Sequence, residues 1–316
     1  MNDLKIDSVA LIVLNYNGAD LLNACLPSII KASHRSRYRC RIIILDNCSQ
    51  DQSKEIVRTH FPEADWVSAS ENRVLCSYNP LMKELSEEIV ILLNNDISVE
   101  PDFIDPLVDV FEQHPDAFFA APKVLLPGTK KYEGNRTQMR MRWGIFEATC
   151  FFPGHEKGID QPGYTLQTGY GAFHRLRFLE LGGYDDLYLP GRVEDSDICF
   201  RAWRRGYRGF YVPSSIVYHE GAVTFRKVFG QKKMDTLTCR NIFLFMWKNL
   251  KDPRLLFEHL FFLFPRLSYA LLKGNTPFAL GFFLALQKAP EAWKRRRAQR
   301  IYPAIRRDCE IFEMVR

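Results

Sequence analysis

Residues 9–18 read VALIVLNYNG. Six apolar residues, half of them β-branched, run without interruption into Asn15-Tyr16-Asn17-Gly18. That pattern predicts a short strand buried on both faces and closed by a polar turn. The same pairing returns at 41–47 (RIIILDN) and 89–96 (IVILLNND). Helical spacing fills the gaps. Leu21, Leu22, Cys25, Leu26, Ile29 and Ile30 fall on one face, and 51–59, 79–87 and 101–114 suit further helices. A weaker strand is expected at 66–69 and a further strand at 118–124. Buried strands alternating with helices predict an α/β fold: a Rossmann-like, mainly parallel sheet with helices on both faces. Such sheets bind ligands beyond the carboxyl ends of their strands. Three successive strands here end in polar residues, as a nucleotide crevice requires. No G-x-G-x-x-G follows the first strand, which argues against a dinucleotide-binding dehydrogenase.

The chain has 316 residues, 47% hydrophobic and 25% charged, which is globular composition. The formal net charge of +6 is too diffuse to argue for nucleic-acid binding, and no such partner is expected. Seven basic and no acidic residues lie between Lys294 and Arg307. The eight cysteines form no CxxC pair, so neither a zinc knuckle nor a redox motif is expected. The opening MNDLKIDS lacks the regions of an export signal, so free thiols in the cytosol are the expectation.

Residues 125–165 are rich in Gly, Pro and charge and read as a loop region able to contact substrate. A tight strand is expected at 168–173 and a short helix at 174–181. A helix over 195–205 stops at Gly206, and two short strands follow at 209–212 and 216–219. Beyond about 235 the chain turns helical. Segments 255–272 and 277–286 are rich in Leu and Phe, but Glu258, His259, Arg266 and Lys273 interrupt them. No uninterrupted apolar run reaches the roughly 18–20 residues of a membrane crossing.

Four places carry candidate chemistry. Asp46, at the end of the second strand, can accept bonds from a base or ribose, or cap the next helix. Asp96 can coordinate Mg²⁺ or Mn²⁺, or serve as a turn residue. Glu194, Asp195 and Asp197 crowd three carboxylates into four residues, which repel unless a cation, arginines or solvent offset them. Asp197 and Arg201 stand at i and i+4, which suits a structural ion pair. Asp195 suits a helix cap or a general base facing the crevice. His219, alone in VYHEG, reads more readily as structural than as a ligand.

Six segments together resemble family-2 glycosyltransferases of the GT-A fold, in the branch that contains bacterial rhamnosyltransferases. They are VALIVLNYNG (9–18), IIILDNCSQDQS (42–53), ILLNNDISVEPDF (91–103), GYGAFHRLRFLELGGYDDLY (169–188), EDSDICFRAWRRGY (194–207) and VYHEGA (217–222). Arg240-Asn241 and Lys248-Asn249 look like the helix that follows the catalytic domain in this group. The resemblance implies that Asn15, Tyr16, Asn17, Asp46, Asn72, Asn94 and Asn95 bind the nucleotide sugar. Asn94-Asn95-Asp96 looks like a variant of the DxD motif, with Asp96 facing a divalent cation, Mg²⁺ or Mn²⁺. His219 would complete the metal or diphosphate site. Asp195 matches the catalytic base, supported by Glu194, Asp197 and Arg201. Two departures stand out. Asn94 replaces an aspartate found in many relatives, and Val74, Leu75 and Tyr78 are bulkier than the small residues usual near the donor site.

The resulting expectation is an inverting enzyme that moves a sugar from a nucleoside diphosphate to a hydroxyl of a glycan or lipid-linked acceptor, in cell-surface polysaccharide synthesis. The altered 71–79 segment supports one alternative, a catalytically weak binding protein in a polysaccharide assembly complex. A catalytic domain is expected over 1–235, with a nucleotide-binding half (1–125) and an acceptor-side half (126–235). Residues 236–316 form a helical region expected to associate with membrane, the alternative being a helical cap packed on the catalytic domain. Apolar helices beside an arginine cluster suggest contact with a membrane surface through 255–307. The protein would then be cytoplasmic and peripheral at the inner face of the cell membrane.

Overall fold

A computed structural model describes residues 6–219 and 230–315. The described residues form twelve strands: β1 (Ser8–Asn15), β2 (Arg39–Asp46), β3 (Ala64–Ser68), β4 (Ile89–Asn94), β5 (Ser98–Val99), β6 (Ala117–Leu125), β7 (Tyr132–Gly134), β8 (Gln138–Arg142), β9 (Ile145–Thr149), β10 (Gly163–Tyr164), β11 (Gly171–His174) and β12 (Arg208–Tyr218). The α-helices are α1 (Ala19–Arg35), α2 (Ser53–His60), α3 (Tyr78–Glu84), α4 (Ile104–Gln113), α5 (Arg175–Glu180), α6 (Glu194–Arg204), α7 (Gln231–Asn249), α8 (Pro253–Leu272), α9 (Thr276–Ala298) and α10 (Asp308–Phe312). Glu220, Gly221 and Ala222 of the 217–222 segment lie outside the described residues.

The main sheet has ten strands, in the order β10-β12-β6-β11-β4-β1-β2-β3, with β5 on β12 and β7 on β6. β4, β1, β2 and β3 are parallel, and β11 reverses direction between β4 and β6. β1 sends Val9, Leu11 and Val13 into one core and Ala10 and Ile12 into the other. Burying each of the Val, Leu and Ile side chains stabilises by roughly 1.5–3 kcal/mol. α1 covers the first core with Leu22, Cys25, Leu26, Ile29 and Ala32, while Leu21 turns to solvent. α7 and α9 pack against each other so closely that a Cβ at Gly281 would lie 2.6 Å from the Cys239 side chain.

Four expectations change. Residues 125–165 are ordered: β8 and β9 form a hairpin whose two-residue turn, Trp143-Gly144, has positive φ at both positions. Arg140 and Arg142 point away from the buried Met139, so charge hid a period-2 strand. The two short strands expected after Gly209 are one strand, β12, which shifts register between Val212 and Ile216. Pro213 sits at that irregularity, where a missing N–H costs the ladder little. α8 also changes the reading of the C-terminal region. It is one helix of 20 residues with mean hydropathy 1.4 over its best window, long and apolar enough by length and composition to cross a membrane. Counting only uninterrupted apolar runs missed it, because the helix continues through Glu258, His259 and Arg266. Finally, several basic residues between 294 and 307 bind protein. Arg295 pairs with Asp185 and Asp186, Arg307 pairs with Glu310, and Arg296 and Arg306 donate to backbone carbonyls.

The boundary expected at 235/236 falls inside α7. Buried α7 residues Phe243–Met246 share one apolar core with the sheet.

Candidate active site

β1 and β4 end side by side, with Leu14 opposite Asn94, and β2 brings Asp46 opposite Asn15. Beyond these ends lies a cavity of about 660 Å³, a volume suited to a small-molecule substrate. Asn15, Asn47, Asn72, Asn94 and Asn95 give it an amide rim. Asp96 and His219, Tyr170 and Gln167, and Glu194 and Asp195 also reach it. Phe146 and Ala148 of the hairpin and Thr238 and Ile242 of α7 complete a more apolar wall.

The rim is braced from beneath. Asn15 donates to Asp46 Oδ1 at 3.0 Å and to Ser49 Oγ at 3.1 Å, and accepts from Asn95 Nδ2 at 2.8 Å. Ser49 N–H donates to Asp46 Oδ2 at 3.0 Å. Asp46 is 4% exposed and spends both oxygens this way, so it neither lines the cavity nor caps α2. Asn17 is exposed. It accepts from Gln50 N–H at 2.7 Å and also stands outside the cavity lining. Gly18 is required by close approach, since a Cβ there would lie 2.0 Å from Asn95 Nδ2. Asn47 donates to the Val74 carbonyl, while its buried Oδ1 has no partner. The strand-end pattern contained Asn47, but nothing local distinguished it from Asp46. Tyr16 lines the cavity and is 38% exposed.

In the 71–79 segment, Asn72 turns its Oδ1 to Val74 N–H, and Val74 and Leu75 line the cavity. Tyr78 does not. It is buried, with its hydroxyl donating to the Leu93 carbonyl at 3.1 Å, so its bulk serves the core.

Asp96 Oδ1 lies 3.4 Å from His219 Nε2, and that buried oxygen has no hydrogen-bond partner. His219 Nδ1 lies 3.4 Å from the Tyr170 hydroxyl. Among the described residues no group of three or more His, Cys, Asp or Glu is placed to hold a metal. A carboxylate and an imidazole suit a cation that takes its remaining ligands from substrate phosphates and water.

At the start of α6, three neighbouring carboxylates have three different environments. Asp195 is half-buried and accepts from Gln167 Nε2 at 2.9 Å and from Ser196 N–H at 2.8 Å. Gln167 is itself held by Ser196 Oγ at 2.6 Å. Glu194 is 5% exposed and its Oε2 has no partner. Burial, then Asp195 beside it, pushes its carboxyl up to about 8. Asp197 is fully buried and accepts from Tyr188, Arg201, Lys248 and Asn249 at 2.7–2.8 Å. Burial alone would raise its pKa, but Arg201 and Lys248 outweigh that and hold the carboxyl well below its usual range. The i,i+4 pair with Arg201 could be read from the sequence. Lys248 and Asn249 could not be assigned to Asp197 without the fold. Gln167 and Tyr170, between strands, and Phe146, on β9, were also missed, since single polar and aromatic residues carry no chemical signature of their own.

A family model described as glycosyl transferase family 2 matches residues 10–176. The N-acetylglucosaminyl-diphospho-decaprenol L-rhamnosyltransferase of Mycobacterium tuberculosis is 22% identical over 240 residues, which cover 68% of this chain and 77% of that protein. Among solved structures, GalNAc-T7 with UDP, GalNAc and Mn²⁺ matches with a TM-score of 0.62 at 18% identity, over 79% of this chain. This chain spans only 49% of the length of that one. The mannosyltransferase of Pyrobaculum calidifontis in complex with GDP-Man and Mn²⁺ matches with a TM-score of 0.53 at 16% identity, over 95% of this chain and 84% of that one. At such identities these structures speak for the fold, which is GT-A. The family match covers more than half of the 316 residues, running from the first buried strand through the strand ends that build the cavity, and the protein is a glycosyltransferase of family 2.

Proposed function

We propose that the protein is an inverting transferase that takes a sugar from a nucleoside diphosphate and joins it to a hydroxyl of a glycan or lipid-linked acceptor in surface-polysaccharide synthesis. The observation that carries this reading is one cavity lined by the strand-end amides, Asp96 with His219, and Asp195. The amide rim supplies donors and acceptors for a base, ribose and sugar. Asp96 and His219 would hold a divalent cation, which when bound neutralises charge on the leaving diphosphate. Asp195 is the proposed base. Gln167 and the Ser196 amide orient its carboxylate, and an acceptor hydroxyl within reach loses its proton to it as the oxygen attacks the anomeric carbon. Glu194, kept neutral near pH 7, spares the site a second adjacent negative charge. The ligands of the solved GalNAc-T7 and mannosyltransferase complexes, a nucleotide or nucleotide sugar with Mn²⁺, support this assignment. So does the lipid-linked substrate in the name of the mycobacterial relative.

A panel of UDP-, GDP- and dTDP-sugars, with and without Mn²⁺, tests the donor reading by thermal shift. Ligand at a hundredfold excess over Kd stabilises by about 2.7 kcal/mol. At least one nucleotide sugar should raise the melting temperature more with Mn²⁺ than without, and Asp96→Asn should erase that difference. If no member of the panel shifts the wild type, the donor reading fails.

The same proposal places the protein at the inner face of the membrane, with residues 236–316 working alongside the 1–235 catalytic region. α8 exposes Phe257, Phe261, Phe264 and Leu272, and α9 exposes Phe283. Lys294 and Arg297 remain exposed nearby in sequence. Exposed apolar side chains on this scale suit a lipid surface. Flotation of the wild type with anionic vesicles, lost on Phe261→Glu with Phe264→Glu, is the expected result. Equal flotation of both proteins would refute membrane contact through α8.

A further inference from the structure

The segment that leads into α6 is strained. Arg192 and Val193 have φ of +78° and +77°, a region that non-glycine residues, and β-branched ones above all, rarely occupy. Glu194 and Asp195 follow at once, so the carboxylates inherit whatever conformation this segment takes. A relaxed segment would turn α6 and move Asp195 relative to Gln167.

The restraint comes from α7, far away in sequence. Asn241 is fully buried, and its amide nitrogen shares two N–H groups among the carbonyls of Tyr188 at 2.7 Å, Gly191 at 2.8 Å and Arg192 at 2.8 Å. Its Oδ1 accepts from Arg240 Nε at 2.9 Å, and Arg240 donates onward to the carbonyls of Tyr188 and Leu189 at 3.2 and 2.6 Å. Two adjacent residues thus hold four carbonyls of the five-residue stretch 188–192. Arg192 Nε also donates to Thr238 Oγ1 at 3.2 Å, again on α7. Two turns on, Lys248 and Asn249 of the same helix grip Asp197. α7 therefore fixes α6 from both sides of Asp195.

We infer that Asn241, assisted by Arg240, is a positioning residue that holds the strained 188–193 segment so that Asp195 faces the cavity in a reactive orientation. An amide is needed because only donors can meet several carbonyls at once, and a carboxylate there would face oxygen with oxygen. The inference rests on the reading of Asp195 as the base. Neither side chain touches the cavity, and the parts of the held segment that do, Pro190, Arg192 and Val193, adjoin Asp195 in sequence rather than the strand-end rim, so loss of Asn241 should affect turnover far more than donor binding.

The test uses the full-length protein and whichever of UDP-GalNAc, GDP-mannose and dTDP-rhamnose it turns over with Mn²⁺. Asn241→Ala should lower kcat at least thirtyfold while donor KM stays within about twofold, with far-UV circular dichroism unchanged. Arg240→Gln, which removes fewer bonds, should lower kcat roughly fivefold and keeps the inference testable if Asn241→Ala fails to fold. Val193→Gly removes the penalty at positive φ. Asn241→Ala should therefore cost at least tenfold less in the Val193→Gly background than in the wild type, a coupling that general destabilisation would not produce. Wild-type kcat in Asn241→Ala or in Arg240→Gln, a donor KM that moves as far as kcat, or strictly additive effects with Val193→Gly would each overturn the inference. Asp195→Asn is the separating control. If it keeps wild-type turnover, the base reading itself is wrong. If it is inactive while Asn241→Ala is not impaired, only the positioning role fails.

Discussion

Asp195 and Asp197 are two residues apart on α6, yet their conversion to asparagine should have opposite effects. Asp197 is fully buried between Lys248 and Arg201, whose side chains are 2% and 10% exposed. Removing its charge leaves two buried cations, with Asp185, 14% exposed, as the remaining nearby carboxylate for Lys248. Breaking a buried pair in this way costs about 3–5 kcal/mol. With an unfolding entropy of about 2.1 cal/mol/K per residue, the chain of 316 residues should melt roughly 5–8 °C lower. Asp195 loses far less. Its oxygens meet only Gln167 and the adjacent Ser196 amide, and an asparagine Oδ1 can still accept. Under ~1 kcal/mol of stability is at stake, or a shift of no more than about 1–2 °C. In activity the order reverses. Asp195→Asn should lower kcat by about 10²–10⁴, whereas Asp197→Asn, assayed well below its melting point, should keep a substantial fraction of wild-type turnover. Differential scanning fluorimetry with a transfer assay on both variants decides the matter. If Asp197→Asn melts within 1 °C of wild type, or if Asp195→Asn turns over normally, the division of labour between the two carboxylates is wrong.

Two further outcomes are expected. Glu194 is raised from 4.5 to about 8, so between those values the folded protein holds a proton that the unfolded chain has released. The contribution of Glu194 to stability should be full below its unfolded pKa and fall as pH rises toward 8, by up to about 1.4 kcal/mol per pH unit, and Glu194→Gln should flatten that decline in urea titrations run between about pH 5 and 8. Gly18→Ala would press a methyl to 2.0 Å from Asn95 Nδ2 and 2.7 Å from Asn15 Oδ1. It should cost about 1–3 kcal/mol of stability and reduce the thermal shift produced by nucleotide sugars, while an undiminished shift would show that the Asn15–Asn95 bond does not shape the rim.

Much of the frame was legible because it rests on local pattern. The runs at 9–14, 41–45 and 89–93 are apolar on both faces, and only strands buried within a covered sheet need that. The polar residues behind them had to gather at one sheet edge, because parallel strands end on the same side. What each polar residue does there was less legible. Asp46 and Asn15 look equally suited to a ligand in sequence, yet both are buried and bond to each other and to Ser49, and of the two only Asn15 contributes to the cavity lining. The hairpin at 138–149 was hidden because Arg140 and Arg142 masked its alternation. Glu194 gave no sign of being buried, since three acids within four residues are offset as readily by solvent as by a cation or arginines. Its environment is made by tertiary contacts alone, and so is the grip of Asn241 on residues 188–192.

The amide rim has a consequence for how the enzyme responds to its medium. Asn72 and Asn94 line the cavity from open or half-open positions, Asn15, Asn47 and Asn95 line it while almost wholly buried, and Asp46 beneath them is enclosed. Amides carry no net charge for dissolved ions to shield, and at physiological ionic strength shielding acts over only about 8 Å. Recognition of the uncharged parts of a substrate at this rim should therefore hold nearly constant from dilute buffer to concentrated salt. Sensitivity to ions would concentrate where charge remains, around Asp96, His219 and Asp195.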